Sequence, residues 1–288
     1  MKISIVIPYF NNAASLVKVL ESLILINKSH KIQVVIVDDC SDDFNEYSYE
    51  IYNRIRKIQY YNIIHLWKNR GRAYARNIGV KKAFFENVLF LDADRLLSKK
   101  AFSSPVFSDQ YIESGIRIGP IFDTYIQLKQ LNNIDKFMEN PEMVRKYSYY
   151  RFIENFVNDN GCIILKNSWL ATFSGAMLIS KKNFYTVGGF DADFKKWGME
   201  NLELGFRISN KLGLKYHIEK SFVTYHLVHK RDKNFYNDGI KESTEIFYQK
   251  WHDDRVLKLR GLLQGTISVG EFENNPDFSQ YYYKRPLI

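Results

Sequence analysis

The chain has 288 residues, 45% hydrophobic and 25% charged, with a formal net charge of +9. Its basic residues are scattered rather than blocked, which suits attraction to phosphates and speaks against nucleic acid as a partner. Two distant cysteines, Cys40 and Cys162, exclude a disulfide framework and point to a reducing compartment, and no apolar run approaches the roughly 20 residues needed to span a bilayer.

The opening MKISIVIPYF is broken by Pro8 too early for a signal peptide, so the expectation is a cytoplasmic protein. Ile3–Ile7 is a continuous apolar run, as in a strand buried on both faces of a parallel sheet. A helix follows from Ala13 to about Ile26, with Asn11 or Asn12 as its cap and Leu16, Val19, Leu20 and Leu23 on one face. QVVIV (Gln33–Val37) gives the second strand, ending at Asp38-Asp39. A tyrosine-rich helical segment leads to a short third strand near Ile63–Leu66. KNRGRAYARNIGVKKAF is helical from about Arg72, and NVLFLDAD (Asn87–Asp94) is a fourth strand with acids at its end. This alternation predicts an α/β fold with a doubly wound, mostly parallel sheet whose ligands sit beyond the strands' C-terminal ends. Pro8, Asp39 and Asp92 all fall there.

Residues 109–169 are mixed and aromatic, which suits an acceptor-side insertion. ATFSGAMLIS (Ala171–Ser180) returns to strand character, and WGMENLELGFRISNKLG is helical from near Asn201, with Gly213 as its stop. SFVTYHLVH is a late strand or loop. One amphipathic segment, about 242–263, precedes the aromatic, basic end YYYKRPLI.

Asp92-Ala93-Asp94 carries the strongest chemistry. Alternate strand residues point the same way, so the two carboxylates would share one side and call for a cation, with hard oxygen ligands suiting Mg²⁺ or Mn²⁺. Such an ion could hold a diphosphate as a leaving group. In WGMENLELGFR, Glu203 and Arg207 are four apart and form a supporting ion pair. Asn201 stands between two acids, where an amide cannot accept a proton.

IVIPYFNN, VDDCSDD, NRGRAYARN and FLDAD, in that order, resemble the nucleotide-sugar half of GT-A-fold glycosyltransferases of the family 2-like group. FSGAMLISKKNFYTVGGFDADFKKWGMENLELGFRI is similar to the catalytic region of β-1,4-galactosyltransferases and of polypeptide N-acetylgalactosaminyltransferases. The two resemblances cover roughly residues 1–100 and 170–232; the expected organisation is 1–100 as the nucleotide-sugar half of one GT-A domain, 101–232 as the acceptor and catalytic half, and 233–288, which resembles no known family, as a helical, aromatic extension. The resemblance implies a UDP-sugar as donor and a glycan, glycoprotein or lipid-linked acceptor, with membrane contact at the inner face and self-association left open. Pro8 and Asp39 would border the uracil, and Gly71, Arg72 and Arg76 would lie near the base and diphosphate. Asp92 would hold ribose or metal, Asp94 would ligate the metal directly, and His229 or His226 would complete that site. Trp197 would wall the acceptor sugar, with Gly175 and Gly198 letting ligands approach the backbone.

The resemblance splits on stereochemistry. Galactosyltransferases have Glu-Asp where this chain has Glu200-Asn201, whereas the retaining N-acetylgalactosaminyltransferases have Glu-Asn. The favoured expectation is inversion, with Glu200 as the base and Asn201 orienting a sugar hydroxyl. The alternatives are retention, with both residues holding substrate, and an inactive glycan-binding or scaffold subunit.

Overall fold

The N-terminal apolar runs form parallel strands β1 (Lys2–Tyr9), β2 (Lys31–Asp38), β3 (Tyr60–His65) and β4 (Asn87–Leu91), separated by helices α1 (Ala13–Asn27), α2 (Phe44–Ile55) and α3 (Arg72–Lys82). The computed structural model describes residues 2–103, 109–196, 198–228 and 233–284. Seven shorter strands follow: β5 (Arg95–Leu97), β6 (Gly115–Ile118), β7 (Ile121–Thr124), β8 (Val144–Lys146), β9 (Ala176–Ser180), β10 (Lys215–Ile218) and β11 (Thr224–Leu227). A seven-stranded sheet runs β10-β6-β9-β4-β1-β2-β3, with β9 antiparallel to both of its neighbours. A second sheet, absent from the sequence reading, runs β5-β11-β7-β8.

The large sheet has two apolar faces because its central strands are buried throughout. Ile5 and Ile7 join Leu16, Leu20 and Leu23 of α1 on one side, while Val6, Val35 and Phe90 join Ala73 and Val80 of α3 on the other. Alternate residues thus serve opposite layers. Asn12 occupies the N-cap position of α1 without a side-chain cap bond; Asp43 accepts the Ala13 N–H instead, at 2.8 Å.

The chain passes three times from the large sheet into the small one: β4 to β5, β6 to β7 and β10 to β11. The first passage corrects the sequence reading. β4 stops at Leu91, and Asp92-Ala93-Asp94 is a turn rather than a strand end, closed by the Arg95 N–H donating to the Asp92 carbonyl at 3.1 Å. Of the Ala171–Ser180 run, only Ala176–Ser180 is strand. The 242–263 segment is two helices, Lys233–Trp251 and Asp254–Gln264, broken where His252 takes φ 46° and Asp253 caps the second. The helix Glu200–Leu212 ends at Gly213 with φ 62°.

Candidate active site

A cleft of about 720 Å³ opens beyond the ends of β1, β2 and β4, at the junction of the two sheets. This is the size of a small-molecule site. Pro8, Asp39, Gly71, Arg72, Asp92, Asp94, Gly175, Asn201 and His226 line it together. Residues from Pro8 to His226, at opposite ends of the named set, therefore meet there because strand ends and helix starts converge at one edge of the sheet.

On one wall, Asp39 is buried, and its two oxygens accept the backbone N–H groups of Arg70 at 2.7 Å and Gly71 at 2.8 Å. Burial raises its proton affinity, and those two amides oppose the rise. The carboxylate thus pins the entrance of α3 to the end of β2. Gly71 has φ 85°, and a Cβ there would stand 2.7 Å from the Lys195 carbonyl oxygen. Only glycine fits both the conformation and the approach.

The Asp-x-Asp turn divides its labour. Asp92 accepts from Arg76 at 2.8 Å through Oδ1 and lies 3.7 Å from Arg95 Nε through Oδ2. Burial works against its ionisation, but Arg76, helped by Arg95 and Arg72, outweighs both burial and the neighbouring Asp94, so its carboxyl titrates below the usual range. Gly175 makes room for this cluster, since a Cβ there would lie 2.3 Å from Asp92 Oδ2 and 2.6 Å from Arg95 Nε. Asp94 faces the second sheet instead, with Oδ2 3.5 Å from His226 Nε2. His226 Nδ1 is 2.8 Å from Asp123 Oδ1. The strand register explains this: His226 of β11 is paired with Asp123 of β7 on one side and with Arg95 of β5 on the other. Burial disfavours charge on His226, yet Asp94 and Asp123 outweigh it and raise its proton affinity.

An imidazole oriented by one carboxylate and presented beside another is the arrangement of a metal-ligating histidine with its supporting acid. Asp94 and His226 form a mixed oxygen and nitrogen donor pair on the cleft wall, which fits a divalent cation of the Mn²⁺ kind. Among the described residues no three ligating side chains converge. The remaining positions would fall to substrate oxygens or water, as is usual for cations that share phosphates with a protein.

On the opposite wall two expected site residues lie behind the cleft lining. Arg76, expected near the diphosphate, is fully buried behind the cleft and joins its two walls. It pairs with Asp92 on one side and lies 3.5 Å from Glu200 Oε1 on the other, with Phe190 under its guanidinium. Glu200, expected to accept a proton, is 1% exposed and absent from the cleft lining. Arg72 Nε sits 2.9 Å from its Oε1, and the Gly198 N–H donates to Oε2 at 3.1 Å. In this structure the Glu200 carboxylate is therefore engaged by Arg72, Arg76 and the Gly198 amide behind the cleft lining. Asn201 does reach the cleft, its Oδ1 accepting from Ser174 Oγ and lying 3.4 Å from Arg76.

Gly198 packs on the Lys233–Trp251 helix, where a Cβ would meet Ser243 Oγ at 2.0 Å; it does not line the cleft. Glu203 and Arg207 form a buried two-pronged pair at 2.6 and 2.7 Å, as their spacing predicts. Trp197 and His229 lie outside the described residues. Sequence reasoning missed Asp123, Arg95 and Ser174. Ser174 alone carried a local signal, standing next to Gly175 inside a quoted motif.

Comparison with known proteins gives a consistent picture. The family described as Glycosyl transferase family 2 matches residues 4–170, and that described as N-terminal domain of galactosyltransferase matches residues 163–230. A glycosyltransferase of Rickettsia felis is 35% identical over 100 residues, 34% of this chain and 15% of that protein. The chondroitin synthase of Escherichia coli is 24% identical over 246 residues, 78% of this chain and 34% of that protein. The chain thus spans about a third or less of the length of these relatives. The S. aureus TarS 1-349 structure in complex with UDP superposes with a TM-score of 0.61 at 16% identity, covering 93% of this chain and 72% of that one. GalNAc-T7 with UDP, GalNAc and Mn²⁺ gives 0.53 at 15% identity, covering 80% and 44%.

Proposed function

The chain belongs to glycosyl transferase family 2 and has the GT-A fold, and we propose that it moves a hexose or N-acetylhexosamine from a UDP-sugar to a hydroxyl of a glycan, glycoprotein or lipid-linked acceptor. The observation that carries this reading is the cleft itself. It sets the Asp39–Gly71 clasp, the Asp94–His226–Asp123 relay and Asn201 around a volume suited to a nucleotide sugar. The structures of UDP-bound TarS and of GalNAc-T7 with UDP and Mn²⁺ support the donor and the metal class.

In this reading Pro8, Asp39 and Gly71 border the base. Asp94 and His226 hold Mn²⁺ or Mg²⁺, and Lys195, an exposed cation on the cleft rim, faces the phosphates. When bound there, a divalent cation supplies positive charge against the departing diphosphate. Asp92, Arg76 and Arg95 keep the Asp94 turn in place, and Ser174 and Asn201 orient a sugar hydroxyl. The anomeric carbon–phosphate oxygen bond breaks, the acceptor oxygen takes its place, and the acceptor proton leaves for a phosphate oxygen. With Glu200 held as counter-ion to Arg72 and Arg76, front-face transfer with retention is the route that calls on no side-chain base. Inversion, favoured by the family 2 resemblance, requires Arg72 to release Glu200 as base.

The same proposal assigns residues 1–100 to the donor, 101–232 to the acceptor and catalysis, and 233–288 to an extension. It sets the protein in the cytoplasm near the inner membrane face. Among the described residues no helix is long and apolar enough to cross a membrane. A screen of UDP-sugars for Mn²⁺-dependent UDP release tests the activity, and NMR of the product's anomeric proton tests the stereochemistry. No release from any UDP-hexose or UDP-N-acetylhexosamine rejects the reading. A β-linkage from an α-linked donor rejects the retaining route.

A further inference from the structure

A second depression, of about 400 Å³, lies between the Ser148–Ile153 helix and the chain's C-terminal segment. Its lining combines cations with rings: Arg145, Lys146 and Arg151 on one side, Tyr282 and Lys284 on the other. The C-terminal segment is fixed there. Tyr283 packs on Tyr149 and Phe152 with ring centroids 5.3 and 5.4 Å apart, and its hydroxyl lies 3.0 Å from Ser148 Oγ. Lys146 is neutralised by Glu154 at 2.8 Å, whereas Arg145, Arg151 and Lys284 form no ion pair with a described residue. Tyr282 is 44% exposed. Nothing in the chemistry of the transfer cleft uses these groups.

The two depressions are neighbours along the chain. Tyr147 lines the transfer cleft, and the residues on either side of it, Lys146 and Ser148, line the groove. Consecutive Cα atoms are about 3.8 Å apart, so the short segment at 146–148 borders both depressions. Unpaired guanidinium groups recognise carboxylates in a planar, two-point manner, and an exposed tyrosine offers a face to a pyranose ring. A lipid surface would instead ask for an apolar rim, and the groove's large apolar side chain, Phe152, is buried.

We propose that this groove binds a negatively charged glycan, the acceptor chain, and holds it so that its end reaches the transfer cleft over Tyr147. The proposal rests on the transferase reading above and adds to it the class of acceptor. The test is calorimetric titration of the full chain with uronic-acid oligosaccharides, with size-matched neutral dextran oligosaccharides as the control. The same titrations follow on the Arg145→Ala/Arg151→Ala/Lys284→Ala variant, whose fold is checked by circular dichroism. Each exposed cation removed should cost roughly two- to fivefold in affinity, so the triple variant should lose about tenfold or more for the acidic oligosaccharide. It should keep UDP affinity unchanged. Acidic binding that weakens with added salt and falls in the variant supports the proposal. Equal binding of dextran, or acidic binding indifferent to the three substitutions, overturns it. UDP binding without any oligosaccharide binding overturns the groove and leaves the transferase reading intact. Oligosaccharide binding without UDP binding overturns the acceptor assignment together with that reading. Tighter binding to phosphatidylglycerol vesicles or to poly(U) RNA than to the oligosaccharide likewise overturns it.

Discussion

Asp123 touches no substrate in this account, yet its removal should change the metal dependence of the enzyme. Its Oδ1 lies 2.8 Å from His226 Nδ1, and the strand register of β7 and β11 holds both side chains in place. The bond fixes which imidazole nitrogen faces Asp94 and increases the basicity of that nitrogen. Loss of such a supporting carboxylate typically weakens metal binding about 10- to 100-fold, or roughly 1.4–2.8 kcal/mol. Asp123→Asn keeps the side chain's shape and removes its charge, so Asp123→Ala should show the larger effect of the two. The assay is UDP release against Mn²⁺ concentration at saturating donor. Half-maximal activity should move to higher Mn²⁺ by that factor, with most of the maximal rate recovered once metal saturates. An unchanged Mn²⁺ curve for Asp123→Ala, with activity otherwise normal, refutes the relay.

Glu200→Ala leaves fully buried Arg76 with one fewer counter-ion, so stability should fall by about 3–5 kcal/mol, read as a drop in denaturation midpoint. Glu200→Gln that instead costs roughly 10²–10⁴ in rate at unchanged stability assigns Glu200 as base after all. Gly175→Ala drives a methyl group into Asp92 and Arg95 and should cost about 1–3 kcal/mol, together with a raised KM for the donor. His217 is pushed down to about 4 by burial and by the Arg117 charge. A histidine with a depressed folded pKa leaves the unfolded state holding more protons between about pH 4 and 6.5, so its contribution is full above that window and is lost as pH falls through it. Denaturation midpoints should therefore decline across that range by an amount equivalent to on the order of 2–3 kcal/mol, and His217→Gln should flatten the decline.

What could be read from the sequence divides along physical lines. β1, α1, β2 and the start of α3 were legible because burial on both faces writes continuous apolar runs, and the amphipathic helix between them carries its own period. Asp92 and Asp94 were legible as cleft residues, yet their strand placement was wrong, because nothing local marks where a strand gives way to a turn between two sheets. The four-stranded sheet was invisible: its strands are three or four residues long, and β11 pairs with β5 and β7 across more than a hundred positions. Asp123 and Arg95 reach His226 only through that pairing. Glu200 shows the same limit. Its motif marked it as a candidate acid, but its pairing with Arg72 and Arg76, more than 120 residues earlier, could not be read from that motif. The i, i+4 spacing of those arginines was the available hint that both point to one place.

In the proposed reading Asp94 and His226 join a UDP diphosphate in holding a divalent cation. Calorimetric titration of UDP with and without Mn²⁺, on the wild-type chain and on Asp94→Ala, tests it most directly. Mn²⁺ should tighten UDP binding at least about tenfold in the wild type, the scale on which metal ligands act, and leave it unchanged in Asp94→Ala. Equal UDP affinity with and without Mn²⁺ in the wild type, or the same tightening in Asp94→Ala, contradicts it.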